Sequence, residues 1–220
     1  MLTLSQVKKN PQILEFIKET EVALATLAYT EHGLEHATLV ADRARTMAKE
    51  IGLQKNEQEM AAIAAFCHDM GNFITREYHH YFGALLFHQV FHNDFSPKEL
   101  TLIMHAIANH DKEEIKFYHP IAAIVVLADK SDVHYSRVIV KDLNKIKKDI
   151  HDRVNFATKS SRLKIDKVKK RITLTLKIDT NLVPIMEYFE IFTRRMVYCR
   201  KAAEYLNYSF GLVINNFKLL

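Results

Sequence analysis

The chain has 220 residues, of which 48% are hydrophobic and 26% charged, with a formal net charge of +5. These values fit one ordinary globular domain, or one domain with a small appendage. No stretch reaches the roughly 18 apolar residues of a transmembrane helix, and the N-terminus lacks a secretory apolar core. Two cysteines are too few for a disulfide framework. We therefore expect a cytoplasmic protein with no membrane partner.

The first half of the chain reads as consecutive helices. Apolar residues at helical spacing predict helices over 12–29 and 34–51, and Gly52 closes the second. Asn56 and Glu59 have the spacing of a capping pair for the next helix. That helix contains a continuous apolar run, which is typical of a buried helix.

Three later helix starts complete this half. His79-His80 opens one helix, and Ser96-Pro97-Lys98-Glu99 combines an N-cap serine, a first-turn proline and a capping glutamate. His119-Pro120 begins a very apolar helix that ends at Asp129. With only five glycines and four prolines in the chain, long helices are favoured over many-turned β architecture.

Charge and composition change near Lys141. Residues 1–140 contain 13 Lys and Arg against 18 Asp and Glu, whereas residues 141–220 contain 18 against 8. The two parts therefore carry net charges of −5 and +10. We predict a mainly α domain over 1–140 and a basic α+β accessory domain over 141–220.

The second part has the pattern of a small sheet with one helix. Residues 153–165 and 170–178 alternate or are β-branched, as paired strands are. A helix is predicted from about Asn181, and 208–214 is a last strand. The expected order is ββαβ.

Histidine is unusually concentrated: eleven of the twelve lie between His32 and His134. Several of them, and two aspartates, stand at predicted helix ends, where four packed helices can project metal ligands into one cavity. Burying such groups is costly unless a cation neutralises them. A mixture of imidazoles with two carboxylates suits Zn, Mn or Fe better than Ca or Mg. The candidate ligands are His36, His68, Asp69, His79 or His80, His110 and Asp129.

The order His36, His68-Asp69, Asp129 is an H…HD…D pattern that resembles the HD-domain metal-dependent phosphohydrolases, over residues 30–137. His79, followed by Gly83-Ala84, and His110 resemble the additional ligands of members that hold two metals. The resemblance implies a helical bundle and two divalent transition-metal ions. It implies that Asp69 bridges both ions, that His36, His68 and Asp129 complete one site, and that His79 and His110 complete the other.

One position departs from that pattern. Several two-metal members place a lysine three residues after the HD aspartate, where it meets substrate phosphate; here the residue is Asn72. Arg76, Lys130 or Arg137 are the candidates to replace that positive charge. Asp69, Asp129 and Asp111 are the candidate catalytic carboxylates, and Asp111 is alternatively a helix-end residue or one that orients His110.

The resemblance implies hydrolysis of a phosphate ester or anhydride, with a nucleotide as the favoured substrate, by metal-activated hydroxide. The alternative is a metal-containing regulatory or nucleic-acid-associated sensor without hydrolase activity, which the basic tail motivates. Nucleic acid is not favoured, because Phe156 stands nearly alone among lysines and no aromatic stacking platform is evident. His105 is expected to line the cavity rather than bind metal, and a homodimer stays open.

Overall fold

A computed structural model describes residues 2–27, 29–112, 114–140 and 142–219. They form two compact units, the first ending at Asp129 and the second beginning at Lys130. Lys141, where we predict the boundary, lies outside the described residues, and the domain limits stay a prediction. In the described parts of the chain, no helix is both long and apolar enough to cross a membrane.

The first unit is helical, as predicted. Helix α3 packs on α4, α4 on α6, and α5 on α6. The helices are α1 (Leu4–Val7), α2 (Pro11–Thr26), α3 (Leu34–Ile51), α4 (Lys55–Cys67), α5 (His79–Phe91), α6 (Pro97–Ala108) and α7 (Pro120–Lys130).

Two of these helices carry the core of the unit. Every residue from 60 to 67 in α4 and from 121 to 128 in α7 is buried. Each fully buried aliphatic or aromatic side chain stabilises the fold by about 1.5–3 kcal/mol, so both helices are held firmly in place. Their C-terminal ends carry His68, Asp69 and Asp129, and these polar groups are therefore fixed relative to the core.

The start of α4 differs from the expected one. Gln54 and Glu57, rather than Asn56 and Glu59, form the capping box, and the backbone N–H of Gln54 donates to Glu57 at 2.9 Å. Glu59 instead pairs with Arg45 at 2.7 Å. Glu57 and Glu59 both lie three residues after a possible capping residue. Because Glu59 is paired with Arg45, Glu57 is the one that makes the capping box.

The second unit is a four-stranded sheet with helices, which confirms the predicted α+β class. Strands β1 and β2 are antiparallel, β2 and β3 parallel, and β3 and β4 antiparallel, in the order β1-β2-β3-β4. The long helix α10 packs against β2 and β3. The elements are a 3-10 turn (Tyr135–Arg137), α8 (Leu143–Lys148), α9 (Ile150–Ala157), β1 (Thr158–Asp166), β2 (Arg171–Ile178), α10 (Ile185–Tyr205), β3 (Ser209–Ile214) and β4 (Phe217–Lys218).

The strand predicted over 153–165 begins later than expected, because residues 150–157 are helical. Asp149 caps that helix by accepting a hydrogen bond from the backbone N–H of Asp152 at 2.9 Å. Val154 and Ala157, three residues apart, are both buried. Residues at this spacing lie on one face of a helix. The hydrogen bond to the Asp149 cap favours the helix more than the β-branched residues favour a strand.

Strand β4 was not predicted. Asn215 and Asn216 between β3 and β4 have φ values of 49° and 73°. Asparagine tolerates this left-handed region better than most residues, so the Asn-Asn pair makes the tight turn.

The turn after α4 packs closely on the start of α5. A Cβ atom at Gly71 would overlap the backbone carbonyl oxygen of His79 and would lie 2.6 Å from the backbone nitrogen of Gly83. Only a glycine allows this approach, since the obstructing atoms are backbone and cannot rotate away. The approach brings the His68-Asp69 turn next to the helix that begins with His79.

We therefore expect Gly71→Ala to lower the free energy of unfolding of the helical unit by about 3 kcal/mol, the upper end for overpacking. Gly52→Ala is the control: Gly52 has φ of 97° with nothing near a Cβ, so it should cost only about 1–2 kcal/mol of backbone strain. Chemical denaturation followed by circular dichroism measures both variants. Equal losses would show that the close approach at Gly71 is not required.

Candidate metal centre

Six side chains predicted as ligands converge in the first unit, and all are at least nine-tenths buried. Their nitrogen and oxygen atoms form three overlapping groups, each within 4.8 Å and each suited to holding a metal ion. The groups are His36, His68 and Asp69; Asp69, His79 and His110; and His68, His110 and Asp129.

The carboxylate of Asp69 lies between two pairs of histidines. Its Oδ2 atom is 3.2 Å from Nε2 of His68 and 3.7 Å from Nε2 of His36. Its Oδ1 atom is 3.2 Å from Nε2 of His79 and 3.5 Å from Nε2 of His110. Each oxygen thus faces a different pair, which is the arrangement of a carboxylate that bridges two cations.

Asp129 faces one pair. Its Oδ1 atom is 3.6 Å from Nε2 of His36 and 3.7 Å from Nε2 of His68. One half of the site therefore has two imidazoles and two carboxylate oxygens. The other half has two imidazoles and the second oxygen of Asp69.

The imidazoles are oriented by backbone carbonyls. In His68, His79 and His110, Nδ1 lies 2.6–2.7 Å from the carbonyl oxygen of the residue three positions earlier, namely Ala65, Arg76 and Ile107. A carbonyl oxygen can only accept, so Nδ1 carries the proton. In the neutral form of each ring, Nε2 then presents a lone pair to the cavity.

The spacing of those lone pairs fits a transition metal. The Nε2 atoms of His36 and His68 are 3.3 Å apart, and those of His79 and His110 are 3.1 Å apart. Two nitrogens that each lie about 2.1 Å from one zinc-like ion are separated by about 3.0–3.4 Å at ordinary coordination angles. The donors present therefore match one ion in each half.

Electrostatics of the cluster favour positive charge inside it. Burial works to lower the pKa of His68, but the carboxylates of Asp69 and Asp129 outweigh it and raise that pKa to about 10. Burial works to raise the pKa of Asp69, but His68, His110 and His79 hold it well below its ordinary value. The carboxylate is thus kept ionised.

The structure distinguishes the two histidines that open α5. His79 faces Asp69, whereas His80 is absent from the metal-capable groups found among the described residues. Burial, together with the neighbouring His110 and His79, lowers the pKa of His80 to about 4. His80 is therefore a neutral side chain beside the cluster, its ring centroid 5.3 Å from that of His79.

His105 lines a separate pocket of about 450 Å³ between α5 and α6. Its ring lies 3.8 Å from that of Tyr118, and its Nδ1 accepts from the side-chain amide of Asn109 at 3.0 Å. Tyr81, from the first turn of α5, forms the opposite wall.

Arg76 and Asp111 lie at the edge of the His79 half. The Asp111 carboxylate is 3.9 Å from Nε2 of His79 and 3.9 Å from the Arg76 guanidinium. Asn72 links Arg76 to the cluster, because it accepts from Arg76 at 2.8 Å and donates to Oδ1 of Asp69 at 3.1 Å. The sequence analysis considered Asn72 only as the position of a missing lysine and did not predict this link. Residues 69, 72 and 76 lie in the turns between α4 and α5, where no regular pattern indicates their contact.

The other two predicted substrate-binding cations, Lys130 and Arg137, belong to the second unit, and both are buried. The Arg137 guanidinium donates to the Asp132 carboxylate at 2.8 Å, and both side chains are nearly inaccessible to solvent. Their contact with substrate stays a prediction.

The HD domain family model matches residues 33–134, the stretch that contains all six candidate ligands. An uncharacterized protein of Methanocaldococcus jannaschii is 26% identical in an alignment of length 152 that covers 59% of this chain and 58% of that protein. This chain therefore spans somewhat more than half the length of the curated relative it matches. The crystal structure of a predicted HD superfamily hydrolase from an uncultured Thermotogales bacterium is similar with a TM-score of 0.45 and 20% identity, covering 60% of this chain and 75% of that one.

We expect the purified protein to carry about two transition-metal ions per chain, as two-metal sites do. Asp69→Ala should lose both ions, because one carboxylate faces both histidine pairs. Asp42→Ala, at an exposed aspartate on the helix that carries His36, is the matched control and should keep both. Elemental analysis by mass spectrometry measures the content; loss of only one ion would show that Asp69 is not a bridge.

The two neighbouring histidines of α5 give a second test. His79→Ala should lower the metal content toward one ion per chain, since it removes one of two imidazoles from its half of the site. His80→Ala should leave the metal content unchanged. The reverse result would place the ligand one residue later than we propose.

Proposed function

We propose that the protein is a metal-dependent phosphohydrolase, because the HD domain family model matches residues 33–134. We propose that it cleaves a phosphate ester or anhydride, with a nucleotide as its substrate. The observation that supports this best is the orientation of Asp69, whose two oxygens face separate histidine pairs at 3.2 Å each.

In this proposal His36, His68 and Asp129 hold one ion, His79 and His110 hold the other, and Asp69 binds both. Iron, manganese and zinc suit such nitrogen-rich donors. When bound, the ions lower the pKa of water and neutralise charge on the phosphoryl oxygens. The remaining requirements are a proton carrier and a cation for the other phosphate oxygens.

Two carboxylates are placed to carry a proton. Asp111 is the more accessible, since 28% of its side chain is exposed and its Oδ2 lies 3.9 Å from Nε2 of His79. Asp129 is enclosed between His36 and His68. We assign proton transfer between substrate and solvent to Asp111, and the binding of metal to Asp129.

Arg76 is the cation that we assign to the substrate. About a third of its side chain is exposed, and a guanidinium binds two phosphate oxygens through parallel hydrogen bonds. Lys130 stays a candidate because it follows Asp129 directly in the sequence. Arg137 is a weaker candidate, since it is already engaged with Asp132.

The pocket between α5 and α6 supports a nucleotide as substrate. It lies beside the ends of the same helices that position His79 and His110, and its walls include the rings of Tyr81, His105 and Tyr118. Aromatic rings stack favourably on a planar base. A sugar phosphate would use the ions and Arg76 but would place no base against these rings.

The proposal is tested by screening metal-loaded protein, with added Mn²⁺ or Fe²⁺, against a panel of nucleotides and other phosphoesters. Release of inorganic phosphate measures the activity. We expect hydrolysis of at least one nucleotide, and a loss of at least about 100-fold in His68→Ala, because removing a ligand should cost no less than removing a group that supports one. His88→Ala, at an exposed histidine of α5, is the matched control and should retain full activity.

A metal-replete protein that hydrolyses none of the panel would contradict the proposal. It would favour the regulatory alternative, in which the metal is structural. Equal activity in wild type and His68→Ala would show that any hydrolysis comes from a contaminant.

A further inference from the structure

Asn72 makes three polar contacts in a position that is 4% exposed. Its side-chain N–H groups donate to the Asp69 backbone carbonyl at 2.8 Å and to Oδ1 of Asp69 at 3.1 Å. Its side-chain oxygen accepts from the Arg76 guanidinium at 2.8 Å. The orientation of the amide is fixed, because the two Asp69 oxygens only accept and the guanidinium only donates.

These contacts act on the carboxylate that faces both histidine pairs. The amide holds Oδ1, the oxygen that lies 3.2 Å from His79 and 3.5 Å from His110. A hydrogen bond to one oxygen resists rotation of the carboxylate and so keeps the other oxygen directed at His36 and His68. Groups that orient a ligand in this way are part of a metal site although they do not touch the ion.

The same amide acts on Arg76. The guanidinium has Asn72 on one side, and its carbon lies 5.5 Å from the centre of the Tyr29 ring. Arginine has five N–H donors, of which Asn72 receives one. The guanidinium is thus held in place, and about a third of the side chain still reaches solvent.

The chemical point is that Asn72 is neutral. If Arg76 bonded Asp69 directly, the anion needed by the ions and the cation needed by a phosphate would neutralise each other. The amide of Asn72 makes one hydrogen bond to Asp69 and another to Arg76, and it adds no charge. The positions of Asp69 and Arg76 therefore stay linked without a direct ion pair between them, and the carboxylate near Arg76 is that of Asp111, at 3.9 Å.

We propose that Asn72 is a positioning residue that holds the Asp69 carboxylate toward the metal ions and the Arg76 guanidinium toward the substrate phosphate. This rests on the proposed function, because it assigns Arg76 to phosphate. It adds that the positive charge for phosphate stands at Arg76, four residues after Asn72 and before α5 begins.

Four variants separate these roles. Asn72→Leu keeps the branched shape of the side chain but removes all three contacts, and Asn72→Asp keeps an acceptor for Arg76 but adds a charge beside Asp69. The other two are Arg76→Ala and the double variant Asn72→Leu/Arg76→Ala. Asn93→Leu, at an exposed asparagine, is the control. The measurements are metal affinity from competition with a chelating dye, the Kd for inorganic phosphate from calorimetry on metal-loaded protein, and the Tm.

We expect Asn72→Leu to weaken metal binding about 10-fold or more, the usual effect of removing a group that orients a ligand, whereas Arg76→Ala should leave metal affinity nearly unchanged. Phosphate affinity should fall about 10-fold in either single variant, and the double variant should be no weaker than Arg76→Ala. Asn72→Asp should lose phosphate binding most, because its carboxylate pairs with Arg76. A purely structural role would lower the Tm without this pattern.

Additive losses of phosphate affinity in the double variant would overturn the inference, as would unchanged metal and phosphate affinities in Asn72→Leu. Either result leaves the hydrolase proposal intact if the wild type hydrolyses phosphoesters. Conversely, the variants could show the expected pattern of phosphate affinities while the wild type hydrolyses no phosphoester. That result would overturn the hydrolase proposal alone.

Discussion

The first unit depends on one electrostatic constraint: an ionised carboxylate, that of Asp69, is buried among four imidazoles. Removing a carboxylate from water costs several kcal/mol unless positive charge accompanies it. The imidazoles cannot supply that charge as neutral rings, because their Nε2 lone pairs point toward the same space. The cluster is therefore stable only with protons or cations inside it, and the nitrogen pairs at 3.3 and 3.1 Å have the separation that a transition-metal ion requires.

Backbone carbonyls at helix ends accept hydrogen bonds from these rings. The last carbonyls of an α-helix have no N–H partner within the helix. His68 follows α4 and donates to Ala65, and His110 follows α6 and donates to Ile107. Each ring donates to a carbonyl in the last turn of the preceding helix and is oriented by it. This explains why the ligands stand just beyond buried helices: the same position provides a rigid base, an acceptor for Nδ1 and access to the cavity for Nε2.

The buried helices and the candidate ligands could be predicted from the sequence, because each is indicated by residues close together in the chain. Continuous apolar runs identified the two buried helices, and polar residues at their ends identified the site. What failed had two causes, one contact distant in the chain and one local helix cap that the composition hides. Glu59 has good capping spacing but pairs with Arg45, and β-branched residues before Thr158 form a helix because Asp149 caps them. The role of Asn72 was hidden for a related reason. Comparison with a pattern that has lysine at this position shows only that the lysine is absent. The structure shows that the amide of Asn72 contacts Asp69 and Arg76.

The candidate metal ligands all lie in the first of the two units. All six candidate ligands lie at or before Asp129, where the first compact unit ends. Four of them are oriented by groups of the same unit: the carbonyls of Ala65, Arg76 and Ile107 accept from His68, His79 and His110, and the amide of Asn72 donates to Asp69. The sheet unit has its own core, built from buried apolar residues of β2 and β3 under α10. The candidate ligands thus belong to the helical unit alone, because the sheet unit begins after the last of them.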